Sequence, residues 1–244
     1  MQYLRCKSKK EVATDLLYDT IGKISSYETG SQAVEDQLIL VDEQDRETGS
    51  CGKMEAHEKG LLHRAFSIFL FRRALLDNPD GTRTFHTQLL IQQRAEGKYH
   101  SAGLWANSCC SHPRVGEHFE EAIARRLPEE TGYTVSDLES AAGEGQLEEK
   151  GAFLYKADFD NGLTEHEFDH VFVGWLRGDR LDKAPAPNPE EAAEMKFIDV
   201  EEIMNDVLKN PARYAAWFMP ALLIATDGEE YGSLNREVSA RMIY

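Results

Sequence analysis

Apolar and polar positions along the chain mark out short strands separated by a few amphipathic helices. Residues 37–42 form an apolar run that meets turn-forming residues from Asp45 to Gly49, which predicts a strand and a turn. Two stronger runs, 64–71 and 84–93, are rich in branched and aromatic residues and predict further strands. Between them Asn78, Pro79, Asp80 and Gly81 predict a turn, because proline fixes one φ angle and glycine permits another. From Glu117 to Leu127, Phe119, Ala122, Ile123 and Leu127 share one side of a helical period, while Glu117, Glu121 and Arg125 take another. Pro128 follows. Proline in a helix interior lacks a donor and costs about 3 kcal/mol, so a kink or an early end is expected near Glu129 and Glu130.

In the second half, residues 152–157 and 168–176 read as paired strands, and a proline-rich connection over 185–189 leads to a short strand at 195–198. Two helices are expected after it: one over 200–209, and one beginning near Ala212 that contains Pro220. Residues 1–34 show little periodicity. The expected organisation is an N-terminal extension over 1–36, a single domain over 37–225, and a tail or helix over 226–244 packed on that domain. Strands interleaved with helices point to an α/β fold with a mixed β-sheet.

Composition narrows the function classes. With 244 residues, 41% of them hydrophobic, the chain is long enough for a full core. It has no run of about eighteen apolar residues that would span a bilayer, and its first ten residues lack the apolar core of a secretory signal. Four cysteines, two of them adjacent, make a poor disulfide framework, so a reducing, cytoplasmic location is expected. The net charge of −16 argues against a nucleic-acid groove. An anionic substrate would need local cations or metal ions to reverse the field at its site.

Three polar sets carry candidate chemistry. Cys110 lies two residues from His112, and a thiol that ionises near neutral pH needs cationic or metal-bound neighbours. His57 and His63 form a second set. Glu165 and Glu167 form the third, and in a strand they share a face because side chains alternate. Taken singly, each is ordinarily a solvated or structural group. Together, three imidazoles and two carboxylates suit a divalent ion such as Zn, Mn or Mg.

The helix that carries Glu117, Arg125, Arg126, Glu129, Glu130 and Gly132 resembles the Nudix box, with two departures. Ser111 stands where the box opens on glycine, and Arg126 replaces the glutamate of its Arg-Glu pair. Those departures weigh against pyrophosphate hydrolysis. Five separated elements run in order: 53–71; Gln92, Gln93 and Arg94 with Lys98; 105–113; 155–157; and 165–169. With these the chain resembles the type I isopentenyl-diphosphate isomerases, a Nudix-like family, over roughly residues 37–220.

That resemblance implies a Nudix-like α/β/α sandwich that interconverts isopentenyl and dimethylallyl diphosphate. It implies Cys110 as the catalytic thiol, Glu167 as the opposing acid with Tyr155 beside it, and Trp217 as the aromatic face toward a cation-like intermediate. It implies His57, His63, His112, Glu165 and Glu167 as ligands of one divalent metal, whether Mg, Mn or Zn. Lys53, Arg94, Lys98, Arg126 and Ser111 become substrate contacts, and Glu130 a carboxylate for a second Mg²⁺ bound with the diphosphate. The expected partner is the small diphosphate substrate alone, with no nucleic acid and no membrane span, in a monomer or weak homodimer. Rival readings are a Nudix hydrolase of a nucleoside diphosphate derivative and a metal-stabilised binding module. His86, His100, His118, His166 and His170 receive no role.

Overall fold

A computed structural model describes residues 37–77 and 80–226. The expected extension over 1–36, nearly all of the segment 226–244 and half of the 78–81 turn lie outside the described residues. The strands are β1 (Gln37–Val41), β2 (Glu47–Gly52), β3 (His63–Asp77), β4 (Arg83–Arg94), β5 (Trp105–Ala106), β6 (Cys109–Ser111), β7 (Leu138–Ser140), β8 (Gly143–Glu144), β9 (Glu148–Asp158), β10 (Thr164–Leu176) and β11 (Ala192–Asp199). The helices are α1 (Lys53–Lys59), α2 (Phe119–Thr131), α3 (Val200–Lys209) and α4 (Phe218–Ala225).

All the strands join one mixed sheet with the order β11-β4-β3-β10-β7-β8 along its main path. β3 and β10 are parallel; β9 pairs antiparallel with β10, and β4 antiparallel with β3. Alternation along β3 explains the layers. Phe66, Ile68 and Leu70 pack with Ala122, Ile123 and Leu127 of α2 on one face. Phe69 and Phe71 pack with Ile203, Met204 and Val207 of α3 and Phe218 and Leu222 of α4 on the other. A sheet buried on both faces needs such near-continuous apolar runs, and residues 64–71 supply one. The result is the expected α/β/α sandwich with a mixed sheet.

Three expectations need correction. Helix α2 is not cut short at Glu129 and Glu130 by Pro128; it runs on to Thr131. The buried Leu127 and Thr131 side chains anchor this last turn, and Thr131 Oγ1 donates to Leu127 O at 2.7 Å. Gly132 then closes the helix in the left-handed conformation (φ 75°), its N–H donating to Pro128 O. Second, the C-terminal helix begins at Phe218, not near Ala212, where only a 3-10 turn forms (Pro211–Arg213). Tyr214 bridges Trp105, and Ala215 N donates to Trp105 O, so this backbone is committed to the edge of β5. Pro220 falls in the first turn of α4, where its missing N–H leaves no bond broken. Third, β2 and α1 follow β1 where only a turn was expected. β2 has no apolar alternation, and seven-residue α1 is too short to show a helical period.

Candidate active site

Strand register brings the histidines and carboxylates together. Glu167 on β10 is the register partner of His63 on β3 and of Tyr155 on β9, so the three form a row across the sheet. His112 follows β6, which pairs with β3 through Cys110 and Ser67. His57 comes from α1. One nitrogen from each of His57, His63 and His112 and one oxygen of Glu167 all lie within 4.8 Å of one another. His112 Nε2 is 2.9 Å and His63 Nε2 3.4 Å from the same Glu167 oxygen.

The imidazoles are prepared to bind a cation. His57 Nδ1 lies 2.7 Å from Lys53 O, and His63 Nδ1 2.8 Å from Leu61 O. A carbonyl only accepts, so each Nδ1 carries the proton and each Nε2 keeps its lone pair, the arrangement by which proteins orient metal-ligating histidines. Burial pushes His57 down to about 4 and His112 down to about 3, so both are neutral at pH 7. His63 Nε2 is buried without a hydrogen-bond partner. An orphaned lone pair beside a carboxylate fits a divalent ion, and nitrogen/oxygen donors suit Zn, Mn or Mg.

Glu165 stands slightly apart. It groups with His57 and with His100, a residue given no role from the sequence. His100 Nε2 lies 3.0 Å from Glu165 Oε1. Tyr155 Oη donates to Glu167 Oε2 at 2.6 Å and reaches Glu165 Oε2 at 3.2 Å. The two carboxyls are shifted in opposite directions. Burial and the neighbouring Glu167 raise Glu165 well above the carboxylate range. Burial also opposes charge on Glu167, but the hydrogen bond from His112 and the nearby His63 imidazole outweigh it and hold Glu167 low. A carboxyl shifted up thus stands beside one shifted down, with the Tyr155 hydroxyl between them.

Cys110 and Trp217 line the same pocket as these carboxyls. The thiol donates to Asn107 Oδ1 at 2.9 Å, and Trp217 Nε1 donates to the sulfur at 3.2 Å. Cys109 points the opposite way into the core beneath α2, as strand alternation requires. Burial pushes the thiol well up, Glu130 and Asp169 add to the effect, and Arg94 opposes it.

The remaining wall is cationic. Lys53, Arg94, Lys98 and Arg126 line the pocket together with Ser111 and Glu130. Pro128 leaves α2 intact, so Arg126 Nη2 reaches Glu130 Oε1 at 2.7 Å. Arg94 Nε and Arg126 Nε are buried with no partner, donors left for an anion. Burial lowers the Lys53 ammonium, and Lys98 and Arg126 lower it further. Glu117, the third carboxylate of the box, is taken by Arg125 at 2.7 and 2.8 Å and does not line this pocket. Sequence reasoning also missed Glu191, which pairs with Lys98 and lies 3.2 Å from Arg126 Nη2. It sits beyond the box on the loop into β11, with no local pattern to mark it.

A mixed sheet between helices, with this cation-lined pocket beside an imidazole and carboxylate cluster, defines a Nudix-fold protein. The sequence matches the NUDIX domain model over residues 62–218. Isopentenyl-diphosphate Delta-isomerase 2 of Aromatoleum aromaticum is 44% identical over 189 residues, 78% of this chain and 86% of that protein. Isopentenyl-diphosphate Delta-isomerase of Serratia proteamaculans is 41% identical over 203 residues, 82% of this chain and 98% of that protein. The solved structure of DR0079 from Deinococcus radiodurans has a TM-score of 0.52 at 20% identity, covering 78% of this chain and 97% of that one, a likeness of fold. The chain belongs to the isopentenyl-diphosphate Delta-isomerase family, within the wider group of proteins with a NUDIX domain.

Proposed function

We propose that this chain interconverts isopentenyl diphosphate and dimethylallyl diphosphate, adding a proton at one carbon and removing one from another. The observation that carries the reading is a single pocket lined by the Cys110 thiol, by Tyr155 with Glu165 and Glu167, and by a wall of four cations. An alkene is a weak base, so its protonation needs a positioned acid and stabilisation of the positive charge that develops. Glu167, which accepts from the Tyr155 hydroxyl at 2.6 Å, delivers a proton to the alkene carbon on one side, and Cys110, as the thiolate, takes the proton lost from the other carbon.

Two features protect the cation-like state. The indole of Trp217, 3% exposed and fixed through its N–H to Asn107 and Cys110, presents an aromatic face worth about 2 kcal/mol to a desolvated cation. The buried walls exclude water, which would trap the cation. Lys53, Arg94, Lys98 and Arg126, with Ser111, take the diphosphate, which supplies binding energy and position. His57, His63, His112, Glu165 and Glu167 would hold one divalent metal, and Glu130 would hold a second, Mg²⁺, with the diphosphate. The first ion, when bound, fixes these carboxyls and withdraws charge from them, which strengthens their acid.

Arg126 in place of the box glutamate, paired with Glu130, favours isomerisation over hydrolysis: a cation there exchanges a metal ligand for a direct phosphate contact. The protein works in the cytoplasm as a monomer or weak homodimer, with the small diphosphate as its partner and no nucleic acid. Incubation of the purified protein with isopentenyl diphosphate and Mg²⁺, followed by assay of the acid-labile allylic product, tests the activity. Released phosphate or pyrophosphate without that product would support hydrolysis instead.

A further inference from the structure

The loop between β4 and β5 carries His100 into the site, between Lys98 and the stretch 105–113. His100 and Glu165 are both buried, 6% and 3% exposed, with Nε2 and Oε1 3.0 Å apart. The imidazole plane is fixed on both faces. It stacks on Phe159 at 4.9 Å and 17° and on His57 at 5.8 Å and 20°. Ser101 Oγ lies 3.4 Å from Nδ1, and Ser101 itself has φ +50°, a conformation that side-chain-bearing residues adopt rarely and at some cost. A hydroxyl donating to Nδ1 leaves the ring proton on Nε2, aimed at Glu165.

We propose that His100 is a positioning residue that fixes the Glu165 carboxyl at the edge of the metal centre. Glu165 Oε1 meets His100, and Oε2 meets the Tyr155 hydroxyl, so the carboxyl is gripped from both sides and one rotamer is selected. The grip matters because Glu165 lies outside the tight group formed by His57, His63, His112 and Glu167. Its orientation decides whether it turns an oxygen toward them. His100 does so as a donor: a nitrogen that gives its proton to Glu165 has no lone pair for a metal. The same residue reaches the cationic wall, since its carbonyl accepts from Arg94 Nη2 at 3.3 Å.

This inference rests on the metal-binding reading of the cluster, and not on the isomerase reaction. The test is Mn²⁺ titration of the full-length, chelator-stripped protein by calorimetry, with folding checked by circular dichroism and melting. His100→Phe keeps the aromatic stack and removes the donor, and is expected to weaken Mn²⁺ binding about 10–100-fold. His100→Gln places an amide N–H close to Nε2 and is expected to stay within about threefold of the parent. His100→Asn keeps an amide too short to reach Glu165 and should behave like His100→Phe, which preserves the test if the phenylalanine variant does not fold. Parental affinity in both the Phe and Asn variants overturns the proposal. So does equal loss in Gln and Phe, which would make the ring itself a ligand. A parent that binds no Mn²⁺ sinks the metal reading beneath it, whereas Mn²⁺ binding without isomerisation sinks only the proposed reaction.

Discussion

At the scale of single residues, the site separates proton-transfer groups from those that only hold them. Cys110 donates to Asn107 and accepts from Trp217, contacts that fix the sulfur without ionising it. Cys110→Ala removes a small, half-buried side chain and leaves both neighbours their mutual bond, Trp217 Nε1 to Asn107 Oδ1 at 3.0 Å. It is expected to keep the fold and lower kcat by about 10²–10⁴-fold, the usual worth of a positioned proton-transfer group. Full turnover in a purified, metal-checked Cys110→Ala protein would sink the mechanism. Glu167→Gln should lose as much kcat, and also metal, since two imidazoles converge on the oxygen it alters. Most of these residues were legible because their motifs are contiguous: 110–112 on one strand end and 165–167 on another, with alternation setting the face. His100 and Glu191 were not, because each acts through a partner from a distant part of the chain.

At the scale of elements, legibility followed length and burial. The sheet buried on both faces wrote itself as long apolar runs, and α3 was found at its true ends, Val200–Lys209. Helix α1 left no period to read, and α4 was misplaced because proline in a first turn and proline in an interior look alike in sequence. Pro128 misled for a related reason: propensity is local, whereas the hold on the last turn of α2 comes from Leu127 and Thr131 buried in the core. That turn sets the position of Glu130, so its termination at Gly132 matters. A Cβ on Gly132 would lie 2.7 Å from the Ala186 Cβ, at a φ of 75° that disfavours any side chain. Gly132→Ala should therefore cost about 1–3 kcal/mol in urea unfolding. If Glu130 serves the Mg²⁺ held with the diphosphate, the same variant should raise the Mg²⁺ concentration needed for half-maximal rate. Unchanged stability would mean that the 184–189 connection yields freely, and that α2 is not pinned by it.

At the scale of the whole molecule, a cluster of neutral imidazoles and carboxyls is a cost of folding that a bound cation offsets. A ligand present at a hundredfold over its dissociation constant stabilises the native state by about 2.7 kcal/mol, or roughly 5–10 °C for a chain of this size. Chelator-stripped protein should melt lower by that order, and recover with Mn²⁺, Zn²⁺ or Mg²⁺. Acid acts on the stripped form through two sets of groups. His57, His100 and His112 take up protons near 6.5 when unfolded but only near 4, 3 and 3 when folded, chiefly because burial opposes their charge. The unfolded chain binds more protons in that interval, so their contribution is complete above pH 6.5 and is lost as pH falls toward 4. Glu165 and Asp169 act in the opposite sense, because burial raises both and the folded state then holds protons that the unfolded state has released. The imidazoles and the carboxyls thus oppose each other on acidification, and a filled metal site should turn the balance toward loss, because protons compete with the ion for the same nitrogens. Melting temperatures of the stripped and Mn²⁺-loaded protein between pH 7.5 and 5 decide the matter. A stripped protein that melts higher at pH 5 than at pH 7 would show that the carboxyls, not the imidazoles, set the balance.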